Sequence, residues 1–104
     1  MHAEIAAKRQ AMADLCRRYG VTRLDVFGSA ARGVDFDPAN SDADFLVTFR
    51  PEVHADMVAF LDFKEALEQL LRRQVDLIDR RAIEASRNPI RRRNILTEAE
   101  TVYG

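Results

Sequence analysis

The segment "SDADFLVTF", residues 41–49, constrains the fold more than any other part of this chain. In an extended strand alternate side chains share a face. Ala43, Phe45, Val47 and Phe49 therefore make one wholly apolar face, and Asp42, Asp44 and Leu46 make the other. The apolar face demands a core packed against one side of a sheet. On the opposite side the two carboxylates have Cα atoms roughly 6.5–7 Å apart, and like charges at that spacing repel by about 1–3 kcal/mol at intermediate dielectric. Carboxylates at the head of a buried strand are costly unless something cationic offsets them.

The flanking pattern shows what that strand is built into. Ile5, Met12, Leu15, Cys16 and Tyr19 recur at helical spacing, and Gly20 stops the helix. "RLDVF", residues 23–27, alternates as a strand and is broken by Gly28. Residues 33–41 are rich in turn formers and predict a loop. From His54 to Arg73 the positions Met57, Phe60, Leu61, Leu67, Leu70 and Leu71 predict a long amphipathic helix. "QVDLID", residues 74–79, reads as a third strand. Asn88 caps a further helix with Pro89 in its first turn, and "TVY" closes the chain as a short fourth strand. The first two strands are joined by a loop rather than a helix. This order predicts an α/β (α+β) fold, a small mixed β-sheet with helices packed on it, and the 104 residues suit a single domain over 1–104.

Asp76 interrupts "VDLI", where Val75 and Leu77 supply the core face. If the third strand pairs beside the second, Asp76 joins Asp42 and Asp44 in one cluster. Oxygen-only ligation, with no paired His or Cys, favours Mg²⁺ over Zn²⁺. Three carboxylates on adjacent strand ends suit two Mg²⁺ ions about 3.5–4 Å apart, an arrangement that favours attack on phosphorus. Gly28 permits a tight turn and a close backbone approach. "SAAR" then begins a short helix, Ser29 adds a hydroxyl donor and Arg32 a positive charge, which together suit an anion such as a triphosphate. The Gly28–Gly33 spacing is not a Walker A loop, because Val34 and Asp35 stand where that motif needs Lys and Ser/Thr. Taken singly, Asp-x-Asp is a solvated turn acid, Asp76 an edge-strand charge and Gly-Ser a turn. Their joint order carries the functional reading.

Net charge is −1 and names no partner, but the charges are segregated. Nine acids face only Arg50 and Lys64 between Asp35 and Glu68, whereas eight arginines face three acids between Arg72 and Arg93. An acidic surface beside a basic one is what a cation site next to an anion site requires. The arginine-rich segment Arg80–Arg93 follows the Asp76 strand directly and is expected near the mouth of the site. Few aromatics accompany these arginines, so direct nucleic-acid binding is unsupported. Cys16, the only cysteine, excludes an intrachain disulfide and reads as a buried packing thiol. His2 and His54 form no ligand-spaced pair. No apolar run approaches membrane-spanning length and the first residues lack a secretion signal, so a cytoplasmic protein is expected.

In family order, "FGSAARG", "SDADFLVTF", "QVDLID" and "NPIRRRNILTEAETVY" resemble segments of the nucleotidyltransferase superfamily of DNA polymerase beta. Within it they resemble the minimal nucleotidyltransferases paired with HEPN-type toxins. Twelve residues separate Ser29 from Asp42, slightly more than is usual there. The resemblance implies that Gly28 and Ser29 grip the triphosphate, that Asp42 and Asp44 ligate metal, and that Asp76 is the third acid, binding metal and activating the attacking hydroxyl. It implies an antitoxin that uses Mg²⁺ and ATP to transfer AMP to a tyrosine of a HEPN-type ribonuclease toxin. A catalytically inactive antitoxin that neutralises its partner by binding alone is the principal alternative.

Overall fold

In a computed structural model that describes residues 1–33 and 42–104, the strands are β1 (Val21–Phe27), β2 (Ala43–Phe49), β3 (Val75–Asp79) and β4 (Glu100–Tyr103). They form one sheet in the order β3-β2-β1-β4. The helices are α1 (Ala3–Ala7), α2 (Arg9–Tyr19), α3 (Ser29–Arg32), α4 (Met57–Leu71), α5 (Arg80–Glu84) and α6 (Pro89–Glu98). β1 runs antiparallel to both β2 and β4, and β2 runs parallel to β3. The parallel pair is connected through α4, as a parallel connection requires a crossover. This is the mixed sheet with helices that the sequence predicts.

One face of the sheet is the main core. Ala43, Phe45, Val47 and Phe49 are all buried there, as their alternation requires, beside Leu24 and Val26 of β1 and Val75 and Leu77 of β3. Ile5, Met12 and Cys16 of α1 and α2, and Phe63, Leu67 and Leu71 of α4, pack onto it. Phe49 meets Phe63 edge-on with ring centroids 6.0 Å apart.

The opposite face is built in rows, because residues paired across strands project to the same side. The first row is Phe27, Asp44 and Asp76, and the second is Asp25, Leu46 and Ile78. Phe27, Leu46 and Ile83 form a small second core against α5 and α6, joined by the half-buried Ile78, Ile95 and Leu96. Asp25 is fully buried, the only charged side chain so placed among the described residues. Arg23 Nε donates to both its oxygens at 3.1 Å, and Arg80 Nη1 donates to Oδ2 at 2.8 Å. Two guanidinium groups thus supply the compensation that a buried carboxylate needs.

Several boundaries differ from the sequence reading. The first helix is two, α1 and α2, broken at Lys8, whose φ of −97° and ψ of 8° leave the helical range. β1 starts at Val21, with a register irregularity between Val21 and Arg23. α4 begins at Met57 because Asp56 caps it, its side chain accepting from Ala59 N at 3.1 Å. The buried stripe of α4 runs through Phe63, Leu67 and Leu71, whereas Met57 and Leu61 face solvent at 65% and 53% exposure. α5 is too short to show a period, but Asp79 caps it by accepting from Arg81 N at 2.9 Å. Of the loop expected over residues 33–41, all but Gly33 lies outside the described residues. Among the described residues no helix is long and apolar enough to cross a membrane.

Asp25→Ala takes from Arg80, only 17% exposed, its 2.8 Å partner and leaves it the longer contact to Glu84 at 3.6 Å. Removing one partner of a buried pair costs about 3–5 kcal/mol. The variant should melt many degrees below wild type in a thermal scan; an unchanged melting temperature would show that the pair contributes little.

Candidate active site

Strand register assembles the site. β2 and β3 run parallel with Asp44 opposite Asp76, so these carboxylates leave the same face of adjacent strands at the same end of the sheet. Asp42 stands one residue before β2, exposed, and Ala43 N, beside it, bonds to Gln74 O at 3.1 Å. β1 is antiparallel, so its C-terminal end arrives here too and pairs Phe27 with Asp44. The chain then turns at Gly28, with φ 68° and ψ −151°. A Cβ at Gly28 would strike Asp44 Oδ2, so both the backbone angle and the neighbouring carboxylate require glycine. The one-turn helix α3 follows, carrying Ser29 at its start and Arg32 in its last turn. Of the residues singled out from the sequence, Gly28, Asp42, Asp44 and Asp76 are drawn together, and Ser29 and Arg32 follow immediately from the turn.

The electrostatics are those of an under-neutralised acid cluster. The Asp44 carboxyl is pushed up to about 6, first by burial, then by the charges of Asp76 and Asp42. Arg32 pulls it down and Glu98 raises it. Glu98, at the end of α6, had no signal in the sequence; it pairs with Arg32, Nη1 to Oε1 at 2.9 Å. Among the described residues no three His, Cys, Asp or Glu side chains converge tightly enough to enclose an ion. The donor set nonetheless suits a hard divalent cation: acid oxygens alone, on one face, with a charge surplus that protonation relieves in a cation's stead.

A cavity of about 550 Å³ opens from Asp44 and Asp76. Phe27, Ile78 and Ile95 supply its apolar lining, and Asn88, Ile90, Arg91 and Asn94 of the α6 segment form its outer wall. The arginine-rich segment therefore reaches the site through Arg91. Three others expected there serve the fold instead: Arg80 binds Asp25, Arg81 donates to Phe49 O at 3.2 Å, and Arg92 to Ser86 O at 2.6 Å. A second concavity of about 580 Å³ lies between α1 and the end of α4, away from the acid row, and its one carboxylate, Glu4, is taken by Arg73 at 2.9 Å. Volume alone does not mark the chemistry; the carboxylates do. Cys16 is buried with its thiol pushed up to about 12, which suits packing and not nucleophilic attack. His54 Nε2 lies 3.1 Å from Asp79 Oδ2, and His2 caps α1, so neither serves the acid row.

The acid row and the glycine turn both lie within residues 8–102, which the nucleotidyltransferase domain model matches. The chain belongs to the nucleotidyltransferase domain family. A structure described as a candidate minimal nucleotidyltransferase superposes with a TM-score of 0.73 at 37% identity, covering 96% of this chain and 95% of that one. The protein adenylyltransferase MntA of Thermococcus cleftensis is 40% identical over 65 residues, 62% of this chain and 62% of that protein's own length. The MNT antitoxin solved in complex with the tri-AMPylated Shewanella oneidensis HEPN toxin shares the fold, with a TM-score of 0.65 at 20% identity over 96% of this chain and 72% of that one. The family resemblance read from the sequence is borne out.

The raised Asp44 carboxyl makes stability depend on pH in a definite direction. The native state holds this proton more tightly than the unfolded chain, whose value is near 3.8, so stability falls as pH rises from about 4 to about 6. The loss should be on the order of 1 kcal/mol once solvent screening of a half-exposed group is allowed for. In metal-free buffer, denaturant titrations of wild type should show this slope. Asp44→Asn should lack it and be at least as stable as wild type above pH 6. A large loss of stability in Asp44→Asn would instead make Asp44 a structural residue.

Proposed function

We propose that this protein is the antitoxin of a toxin–antitoxin pair, an Mg²⁺-dependent adenylyltransferase that moves AMP from ATP to a tyrosine of a HEPN-type ribonuclease toxin. The observation that carries the reading is the register of Asp44 opposite Asp76, with Asp42 beside them and the Gly28 turn pressed against Asp44. The activity named for the Thermococcus relative, and the modified toxin named in the Shewanella complex, support the choice of AMP and of a protein acceptor.

In this reading Asp42, Asp44 and Asp76 are the residues that hold Mg²⁺, one ion or two. When bound, the ion neutralises charge on the carboxylates and the phosphates alike. Ser29, the backbone N–H groups at the start of α3 and Arg32 hold the β- and γ-phosphates. The acceptor hydroxyl gives its proton to the Asp76 carboxylate as its oxygen bonds to the α-phosphorus. The bond from that phosphorus to the bridging oxygen breaks, and pyrophosphate leaves. Water need not be excluded by this chain alone, because a docked protein acceptor covers the open end of the sheet.

Intact-protein mass spectrometry tests the proposal. Mixed with Mg²⁺, ATP and its cognate toxin, the protein should add one or more AMP-sized masses to the toxin and silence the ribonuclease. Asp42→Asn with Asp44→Asn should bind toxin but add no mass, and the toxin should regain activity once separated. Equal protection by this double variant would establish the binding-only antitoxin instead.

Asp76→Ala separates binding from chemistry. It should retain ATP binding by calorimetry while transfer slows roughly 10²-fold or more, as for loss of a positioned base or ligand. Unchanged activity per folded molecule would reduce Asp76 to an edge-strand charge.

A further inference from the structure

The order of strands lays the parts of the site out along a line. The Gly28–Ser29 turn leaves β1, Asp44 heads β2 and Asp76 lies on β3, with neighbouring strands about 4.8 Å apart. The proposed phosphate grip is thus on the β1 flank and the proposed proton acceptor on the β3 flank. In phosphoryl transfer the attacking and leaving oxygens lie roughly in line on opposite sides of the phosphorus. With pyrophosphate leaving toward Gly28, the acceptor must arrive from the side of Asp76. The cavity opens from Asp44 and Asp76 to Ile78 of β3 and to α6, with Phe27 its one β1 residue, and Gly28, Ser29 and Arg32 do not line it.

We propose that the cavity between β3 and the first turns of α6 is the acceptor subsite, shaped for a phenolic side chain, with Ile90 as a residue that selects the ring. The proposal rests on the transfer reading above and names how that site recognises its acceptor. Ile90 projects from α6 with 72% of its surface exposed, the most exposed large apolar side chain among the described residues. It lines a cavity whose other apolar walls are Phe27, Ile78 and Ile95. A flat ring entering there meets aliphatic and aromatic carbon and carries its hydroxyl to Asp76, while the Arg91 guanidinium on the same wall favours the developing phenolate. A phenol offers the carboxylates a donor. A serine or threonine hydroxyl is too short to fill the apolar part while reaching Asp76.

The test uses the full chain with its cognate toxin. Because Ile90 is exposed, Ile90→Ala should melt within a degree or two of wild type. Calorimetry should give an affinity for Mg²⁺-ATP within about twofold of wild type. The kcat/KM for AMP transfer to toxin should fall about tenfold or more, as removal of several carbons from a specificity pocket predicts, and Ile90→Leu should restore most of it. A weakening of ATP affinity that matches the loss of transfer would overturn the proposal, placing the base in the cavity. Unchanged transfer by Ile90→Ala would also overturn it. Absence of any AMP transfer by the wild-type protein would strike the functional reading itself, and this assignment with it.

Discussion

The parallel pairing of β2 with β3, Asp44 opposite Asp76, is the constraint on which the rest of the molecule depends. A slip of one residue would turn Asp44 and Asp76 to opposite faces and drive a carboxylate into the apolar core. The register is held by what lies behind it. Phe45, Val47 and Leu77 fill the main core, and each has only one face on which it can be buried. Hydrophobic packing on one side of the sheet thereby sets the spacing of charges on the other.

The two faces divide the labour. The α1, α2 and α4 side carries most of the burial, and α5 and α6 cover only part of the other face. On that second face Phe27 shares the row of Asp44 and Asp76, and Leu46 and Ile78 share the next row with the buried Asp25, held by Arg23 and Arg80. The two sets of carboxylates stand on different strands and in different circumstances. Asp25 has two guanidinium partners and no surplus charge. Asp44 has acid neighbours and a carboxyl raised to about 6. Arg80 belongs to the structural set although it immediately follows the strand that bears Asp76.

Much of this was legible in the chain, and the misses have physical causes. The β2 alternation, the acid positions and the Asn88–Pro89 helix start were readable because each rests on neighbours in sequence. The inward stripe of α4 was misread at Met57 and Leu61, since the helix carries apolar residues on two stripes and only packing against α2 and the sheet selects one. α5 was invisible because five residues hold too few turns to display a period. The pairings of Glu98 with Arg32 and of Asp25 with Arg80 gave no sequence signal, because the partners lie 66 and 55 residues apart.

By itself the sequence determined which face of each strand is apolar, where the chain turns, and that three acids sit at strand heads after a Gly-Ser turn. Those are local properties, set by period, side-chain chemistry and backbone freedom. Only the tertiary structure decided that β3 lies beside β2 and not elsewhere, that Gly28 presses on Asp44, and which arginine reaches the cavity. These depend on pairings between residues far apart in the chain. No local pattern encodes such pairings, because their energy appears only once the shared core has closed.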